Sequence, residues 1–416
     1  MFYVNFMYYP DLKFGTSCGK YFFYDFEFTC LLNFQMNISS KLPRSGTTIF
    51  TVMSALAAEH QAINLGQGFP DYDCDERLKV LVAKYLNAGK NQYCPMPGLS
   101  DLRKRICEKI LRSYALSLNH DTQVCITAGA TQAIFTTIMA FIRSGDEVII
   151  IEPAYDSYKP SILIAGGIPR IYSMTYPDYS IDWNQIASMV NSQTRMIIIN
   201  TPHNPTGSIL QKEDLEALEA IVANKNIIVL SDEVYEHLIY DGAVHQSVLR
   251  FPKLLEQSIA VFSFGKTYHS TGWKIGYCVG AEQLIREIKN IHQWNVFCVN
   301  SFIQYALAEY LEDVSTYEYL PQFFQKKRDF LTENLKETPL RPKLSKGTYF
   351  QLFSYEGISN LSDLEFAKYL TTEIGVAAIP LSPFYSTPTH DKVIRLCFAK
   401  KEETLTKAAE RLVKAF

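Results

Sequence analysis

The middle third of the chain alternates short apolar runs with helical segments, and this alternation limits the possible folds. The apolar runs are predicted to be strands at residues 124–127, 147–151, 195–200, 227–230, 259–263 and 275–279. Between them, helices are predicted to reach about Ile142 and to run from Lys212 to Asn224. Such an alternation favours an α/β fold with a mainly parallel sheet covered by helices on both faces. Functional groups of such sheets gather at the carboxyl ends of the strands.

The rest of the chain predicts a second domain. At 416 residues the chain exceeds one typical hydrophobic core. Outside the alternating region, helices are predicted at residues 76–86, 99–114, 281–312, 321–335, about 362–372 and from Glu402 onward, and strands at 347–352 and 393–398. The later elements mix helices with strands, which indicates a smaller α+β domain near the C-terminus.

Composition excludes several classes of protein. A net charge of -3 gives no reason to expect nucleic acid or a membrane surface as a partner. No apolar run approaches the roughly 18 residues that a membrane span needs. The nine cysteines form no CxxC pair and the histidines no HExxH motif, so neither a metal site nor a disulfide framework is expected. Free thiols in apolar settings favour a reducing cytoplasm.

Residues 1–35 differ from everything that follows. They are crowded with aromatic side chains but show neither a helical nor an alternating period. They also lack the basic start and compact apolar stretch of a signal peptide. We interpret them as an extension of uncertain status, with Met36 as a candidate translation start, and the intact mass of the native protein would test this.

Two lysines lie between the last two predicted strands of the alternating region. Lys266 follows the apolar run 259–263, and Lys274 precedes the run 275–279. A lysine held at a strand end can lose its proton and form a Schiff base with a carbonyl compound. An ordinary solvated loop lysine fits this pattern equally well when it is considered alone.

Other strand ends carry polar groups as well. Gly129, Ala130 and Thr131 begin a helix directly after a strand, where free backbone N–H groups attract an anion; a simple tight turn is the alternative. Asn204 lies in a loop held by two prolines. Asp232 follows four aliphatic residues, a costly position unless the carboxylate meets a cation or caps a helix.

These groups together match one cofactor. Pyridoxal 5'-phosphate needs donors for its phosphate, a carboxylate for its protonated ring nitrogen and an amine for its aldehyde. The glycine turn, Asp232 and Lys266 supply these three functions at neighbouring strand ends. The sequence therefore predicts a pyridoxal-phosphate site.

The order of motifs resembles that of the fold type I, class I/II aminotransferases. The motifs are Asn-Gln-Tyr93, Gly-Ala-Thr131, Asn204-Pro-Thr-Gly, Ser-Asp232-Glu-Val-Tyr, Ser-Phe-Gly-Lys266-Thr and Ile-Arg395-Leu-Cys-Phe. The similarity extends from about Ser40 to the C-terminus and is greatest to the branch of methionine and kynurenine/glutamine aminotransferases. It implies a large domain with a mainly parallel seven-stranded sheet, a smaller α+β domain and a cytoplasmic homodimer. The expected division is an N-terminal segment of the small domain at 36–75, the large domain at 76–318 and the rest of the small domain at 319–416.

The resemblance also implies roles for residues around the cofactor ring. Lys266 would form the Schiff base and move the substrate's α-proton. Asp232 would keep the ring nitrogen protonated. Asn204 and Tyr235 would bind the phenolic oxygen, and Tyr155 would stack on the ring.

Further roles concern the phosphate and the substrate. The phosphate would be held by Ala130, Thr131, Ser263 and Lys274, with Tyr93 reaching it from the other subunit. Arg395 would bind the substrate α-carboxylate as a bidentate pair, and Gly68 would approach that carboxylate through its backbone.

The substrates implied are an amino acid and a 2-oxo acid. Residues 287–305 contain no arginine that could bind a side-chain carboxylate. With Phe69, Tyr93, Trp294 and Phe297 nearby, this favours an uncharged thioether or aromatic donor, methionine above others; ordinary core packing is the alternative for Trp294 and Phe297. A carbon–sulfur β-lyase on the same fold and a pyridoxal-binding regulator are the alternative functions, although residues 1–40 are too short and unpatterned for a DNA-binding module.

Overall fold

The apolar runs of the middle third form a seven-stranded sheet in the computed structural model, which describes residues 36, 38–43, 46–387 and 389–416. Within it, residues 41–416 form one compact unit. Residues 1–35 lie outside the described part of the chain, so the interpretation of that segment stays a prediction.

The strands have the following bounds. They are β1 (Ile63–Asn64), β2 (Val124–Thr127), β3 (Glu147–Glu152), β4 (Ile168–Ser173), β5 (Thr194–Asn200), β6 (Ile228–Asp232), β7 (Ser258–Ser263), β8 (Gly276–Gly280), β9 (Arg341–Lys343), β10 (Phe350–Ser354), β11 (Val376–Ala377), β12 (Ile379–Pro380) and β13 (Val393–Cys397). The large sheet has the order β2-β8-β7-β6-β5-β3-β4. Strands β4, β3, β5, β6 and β7 run parallel, whereas β8 is antiparallel to both of its neighbours.

The central strands are buried on both faces, as their continuous apolar composition predicts. In β5, Ile197 and Ile199 join one hydrophobic cluster, whereas Met196 and Ile198 join a second. Successive strand residues point to opposite faces, so the two clusters lie on opposite sides of the sheet. The prediction of a mainly parallel sheet covered on both sides is confirmed.

The helices cover this sheet and build the remainder of the unit. They are α1 (Ile49–Glu59), α2 (Glu76–Asn87), α3 (Ser100–Tyr114), α4 (Ala130–Phe141), α5 (Tyr158–Ile164), α6 (Trp183–Met189), α7 (Lys212–Val222), α8 (Pro252–Leu255), α9 (Phe264–Thr267), α10 (Glu282–Asn295), α11 (Ser301–Tyr310), α12 (Ser315–Glu318), α13 (Leu320–Asn334), α14 (Asp363–Tyr369) and α15 (Glu402–Ala415). The segment 281–312, predicted to be helical throughout, contains two helices. Between them Phe297 has a φ of 67°, which interrupts the helix.

Several elements were absent from the sequence-based prediction. Strand β4 lies at the edge of the large sheet, where most of its side chains are exposed or only partly buried, so it lacks the apolar run that marked the other strands. Helices α1, α5 and α6 were also not predicted, and two of these have only seven residues.

Two smaller sheets lie outside the large one. Strands β12, β13, β10 and β9 form an antiparallel sheet, and β1 pairs in parallel with β11. Hydrogen bonding thus ties residues 63–64 to residues 376–377, which are far away in sequence. The expected domain boundaries at 75/76 and 318/319 stay a prediction. No helix in the described part of the chain is long and apolar enough to cross a membrane.

A buried ion pair joins helix α3 to the turn that follows β6. The Lys109 amine of α3 contacts the Glu236 carboxylate, and both side chains are almost fully buried. Tyr114 donates a second hydrogen bond to Glu236 at 2.7 Å. Burial alone would raise the pKa of Glu236, but Lys109, together with His237 and the Tyr114 hydrogen bond, outweighs burial and lowers the pKa to about 2.

Lys109→Ala would leave the Glu236 charge buried without its cation. We expect a loss of about 3–5 kcal/mol in the free energy of unfolding, measured by urea denaturation at pH 7. Lys104→Ala on the same helix is the matched control, since Lys104 forms an exposed ion pair with Asp101 at 3.8 Å. Exposed ion pairs contribute little, so the expected effect of this change is below about 1 kcal/mol. Equal losses in the two variants would show that the buried pair has no special role.

Candidate active site

A cavity at the carboxyl ends of the large sheet collects most of the predicted site residues. The residues brought together there are Ala130, Thr131, Tyr155, Asn204, Asp232, Tyr235, Ser263, Lys266 and Lys274. A second, adjoining cavity contains Gly68 and Arg395 and shares four residues with the first, Tyr155, Asn204, Tyr235 and Lys266. We call the first the cofactor-side cavity and the second the substrate-side cavity.

Lys266 stands on the short helix α9, directly after β7, and its amine faces both cavities. The Nζ atom donates to Tyr349 Oη at 2.7 Å and to the Gly68 carbonyl at 3.3 Å. Burial lowers the pKa of Lys266 to about 8. At such a pKa roughly a tenth of this amine is uncharged at pH 7, and this fraction can act as a nucleophile.

Asp232 is the last residue of β6 and is buried. Its carboxylate accepts a hydrogen bond of 2.6 Å from Tyr158 Oη. Burial raises the pKa of Asp232 to about 6. No helix follows Asp232 directly, since residues 234–237 form a turn, so the helix-cap alternative is wrong. Asp232 instead lines the cofactor-side cavity, where a protonated ring nitrogen would satisfy its carboxylate.

The part of the cofactor-side cavity next to α4 suits an anion. Helix α4 begins there after Gly129, which supplies no capping side chain, so backbone N–H groups of the first turn are available. Gly129 has a φ of 78°, and a Cβ atom at this position would stand 3.3 Å from Lys274 Nζ. The glycine thus lets the lysine approach the start of the helix. Thr131 and Ser263 add hydroxyl groups to the same cavity.

Arg395 on β13 is completely buried in the substrate-side region. Its Nη1 atom donates to Asn204 Oδ1 at 2.7 Å and its Nη2 atom to the Gly66 carbonyl at 3.2 Å, while Nε has no partner. The guanidinium lies 3.7 Å from the centre of the Phe350 ring. Burial lowers the pKa of Arg395 to about 10. Within the described part of the chain no carboxylate lies within 4.0 Å of it, so this cation suits the carboxylate of a ligand.

Asn204 links the two cavities. Its side-chain oxygen accepts from Arg395, and its backbone N–H donates to Asn200 Oδ1 at 2.8 Å. Asn200 in turn donates to the Asp232 carbonyl at 2.8 Å. One chain of hydrogen bonds therefore connects the guanidinium with the strand that carries the buried aspartate.

Sequence reasoning missed several residues of the site. Tyr158 and Tyr349 contact the reactive side chains directly, and Phe50 and Phe350 line the substrate-side cavity. A Cβ atom on Gly68 would stand 2.7 Å from Phe350 Cζ, which explains why this position needs a glycine. Tyr349 and Phe350 follow the predicted strand start at Gly347, but only the fold shows that Tyr349 contacts Lys266 and that Phe350 lines the same cavity as Lys266.

Three predicted aromatic residues lie elsewhere. Tyr93 is 82% exposed and packs edge-to-face with Phe297, and Trp294 is 84% exposed. None of the three lines either cavity of its own chain. Since Trp294 and Phe297 are both exposed, Phe297 by 46%, the core-packing alternative for these two residues is wrong. The participation of Tyr93 across a dimer interface stays a prediction.

The residues present fit pyridoxal 5'-phosphate. An unpaired helix start with Lys274 matches the phosphate, the buried Asp232 carboxylate matches the ring nitrogen, and the partly deprotonated Lys266 amine matches the aldehyde. In the described residues no group of histidine, cysteine or acidic side chains could hold a metal ion.

Comparison with known proteins places the chain in a family. The family model for aminotransferases of class I and II matches residues 60–412. A methionine aminotransferase of Escherichia coli strain K12 is 49% identical over 374 residues, which cover 90% of this chain and 97% of that protein. A kynurenine–oxoglutarate transaminase of Dictyostelium discoideum is 34% identical and covers 92% of this chain and 98% of its own length.

The solved structures that resemble this chain include aminotransferases. A crystal structure of an Escherichia coli protein identified with a methionine aminotransferase function has a TM-score of 0.90 at 48% identity, covering 91% of this chain and 100% of that one. An N-succinyldiaminopimelate aminotransferase of Mycobacterium tuberculosis has a TM-score of 0.87 at 35% identity and covers 91% of this chain and 100% of its own.

The chain belongs to the class I and II aminotransferase family. It is a transaminase with the fold type I architecture, and its cofactor is pyridoxal 5'-phosphate. The predictions of fold, enzyme class and cofactor are confirmed, and the carbon–sulfur lyase alternative is not favoured.

Tyr158→Phe would remove one hydrogen bond from the buried Asp232 carboxylate. Since a hydrogen bond to a charged group contributes about 1.5–3 kcal/mol, we expect the Kd for pyridoxal 5'-phosphate to rise by roughly 10- to 100-fold. Titration of the cofactor-free protein, followed by fluorescence, measures it. Tyr172→Phe is the control, since Tyr172 is equally buried but hydrogen-bonds to Asp182 away from the cavity. Equal Kd values for the two variants would contradict a role for Tyr158.

Proposed function

We propose that this aminotransferase moves the amino group of methionine, or of another uncharged L-amino acid, to a 2-oxo acid in a ping-pong reaction. The observation that carries this proposal is the composition of the substrate-side cavity. Its lining contains two cations, Lys266 and Arg395, and three phenylalanines, Phe50, Phe69 and Phe350. One cation is needed for the amine chemistry and the other for the α-carboxylate. The lining therefore supplies no further cation for a substrate whose side chain is acidic.

The aromatic wall suits a thioether or an aromatic side chain. Sulfur and aromatic groups both make favourable contacts with phenylalanine rings. The Arg395 guanidinium stacks on Phe350, which fixes the plane in which a carboxylate would bind. Methionine is the leading donor, and phenylalanine, tyrosine, histidine, glutamine and kynurenine are its competitors. The Escherichia coli relative named for methionine supports this order.

We assign the roles of the chain's residues as follows. When bound, pyridoxal 5'-phosphate supplies an aldehyde for the amine of Lys266 and an electron sink for the substrate carbanion. Lys266 holds and moves the proton at the substrate Cα atom. Asp232 holds the proton on the ring nitrogen, while Asn204 and Tyr235 donate to the phenolic oxygen.

The remaining assignments concern binding. The phosphate is held by Ala130, Thr131, Ser263 and Lys274. Tyr155 covers the ring, Arg395 binds the α-carboxylate, and Gly68 lies beside that carboxylate.

We further propose a homodimer in which Tyr93 reaches the partner's phosphate site, which the exposure of this ring supports. The seven described cysteines are free, which supports a cytoplasmic location.

A donor screen with the purified holoenzyme tests the substrate proposal. With a common oxo-acid acceptor, we expect kcat/KM for methionine to exceed that for aspartate by at least about 100-fold, because a buried carboxylate without a partner costs several kcal/mol. Phenylalanine should fall between the two. A preference for aspartate would contradict the proposal, and release of pyruvate and ammonia from cystathionine without oxo-acid exchange would favour the β-lyase instead.

A further inference from the structure

The amine of Lys266 has an uncharged hydrogen-bond partner that none of the roles above includes. Tyr349 Oη lies 2.7 Å from Lys266 Nζ. The tyrosine is completely buried and directly precedes β10 of the small antiparallel sheet, whereas Asp232 ends β6 of the large sheet. Apart from the Gly68 carbonyl, no other hydrogen-bond partner of Nζ occurs among the described residues.

The direction of this hydrogen bond is fixed by the next one. Tyr349 donates its single hydroxyl proton to the Gly68 carbonyl. A phenol has one proton to give, so its oxygen can only accept from the Lys266 amine. Lys266, Tyr349 and Gly68 thus form a closed triangle in which the amine donates to both oxygens.

The position of the phenol ring is also fixed. It packs edge-to-face against Tyr235, with ring centres 5.1 Å apart, and against Phe350 at 4.9 Å. Tyr235, like Lys266, lines both cavities, and Phe350 lines the substrate-side cavity. The hydroxyl of Tyr349 is therefore held where the two cavities meet.

An uncharged acceptor differs from a carboxylate in its effect on a buried lysine. Lys109, also buried, contacts the Glu236 carboxylate. Burial lowers the pKa of Lys109, and the opposite charge of Glu236 works against that shift and favours the ammonium form. Burial raises the pKa of Tyr349 well above its usual range, so the phenol stays neutral. It can orient the Lys266 amine without fixing it permanently as an ammonium ion.

We propose that Tyr349 is a further catalytic residue, whose hydroxyl holds the Lys266 amine at the boundary between the two cavities while that amine carries the substrate's α-proton. The phenol accepts a hydrogen bond from the resulting ammonium ion and gives up no proton of its own. This inference rests on the proposed role of Lys266 as the group that moves the α-proton.

Tyr349→Phe tests the proposal, because it keeps the ring and its aromatic contacts but removes the oxygen. We expect kcat of the holoenzyme to fall by about 10- to 100-fold with KM unchanged, as for one lost hydrogen bond to a charged group. The acid limb of the kcat–pH profile should move down by about one pH unit, because the ammonium form of Lys266 loses an acceptor and its pKa falls. The pH dependence of cofactor capture by the cofactor-free protein, followed by visible absorbance, should move in the same direction.

Tyr355→Phe is the matched control. Tyr355 is also completely buried and donates one hydrogen bond, to the Leu361 carbonyl at 2.9 Å, outside both cavities. We expect its kcat and both pH profiles to match those of the unmodified enzyme. Unchanged kcat and pH profiles in Tyr349→Phe, or a fall in kcat with no pH shift, would overturn the proposal.

Lys266→Ala separates this inference from the function on which it rests. Loss of visible absorbance and activity in Lys266→Ala, together with a normal Tyr349→Phe enzyme, would overturn the role of Tyr349 alone. Retention of both properties in Lys266→Ala would overturn the role of Lys266, and the role of Tyr349 with it.

Discussion

The structure depends on keeping ionisable groups out of water without pairing them with one another. Lys266, Asp232 and Arg395 converge at the carboxyl edge of the large sheet, and no salt bridge joins any two of them. Burial favours the uncharged form of each group: it lowers the pKa of Lys266 to about 8 and that of Arg395 to about 10, and it raises the pKa of Asp232 to about 6. Such an arrangement costs stability in the protein alone. The aldehyde and ring nitrogen of pyridoxal 5'-phosphate, together with the α-carboxylate of a substrate, would satisfy all three groups.

Neutral hydrogen-bond partners hold these groups in place. Tyr158 donates to Asp232, Asn204 accepts from Arg395, and Tyr349 accepts from Lys266. Each partner comes from an element distant in sequence from the group it holds. Because none is charged, each fixes a position without cancelling the charge that the chemistry uses. The buried ion pair between Lys109 and Glu236 lines neither cavity and instead joins α3 to the turn after β6.

Part of this site, including Asp232 and Lys266, was predictable because these residues end or follow strands. Arg395 lies inside β13 and was predicted only from the resemblance to a family. An apolar run that ends in Ser-Asp232 or Ser-Phe-Gly-Lys266 is a local signal, and parallel strands bring such ends together. The partners Tyr158, Tyr349 and Phe50 carry no such signal, because their function arises only from contacts between remote elements. Strand β4 was missed for a different reason, since an exposed edge strand does not show a continuous apolar run.

The central claim is that Lys266, and not Lys274, forms the covalent bond with the cofactor. Both lysines line the cofactor-side cavity, but only Lys266 also lines the substrate-side cavity, where its amine contacts Tyr349 and Gly68. Lys274 instead lies beside Gly129 at the start of α4. Reduction of the holoenzyme with borohydride, followed by peptide mapping with mass spectrometry, locates the bond directly. We predict one pyridoxyl group per chain, on Lys266. A pyridoxyl group on Lys274, or no covalent adduct at all, would contradict this account.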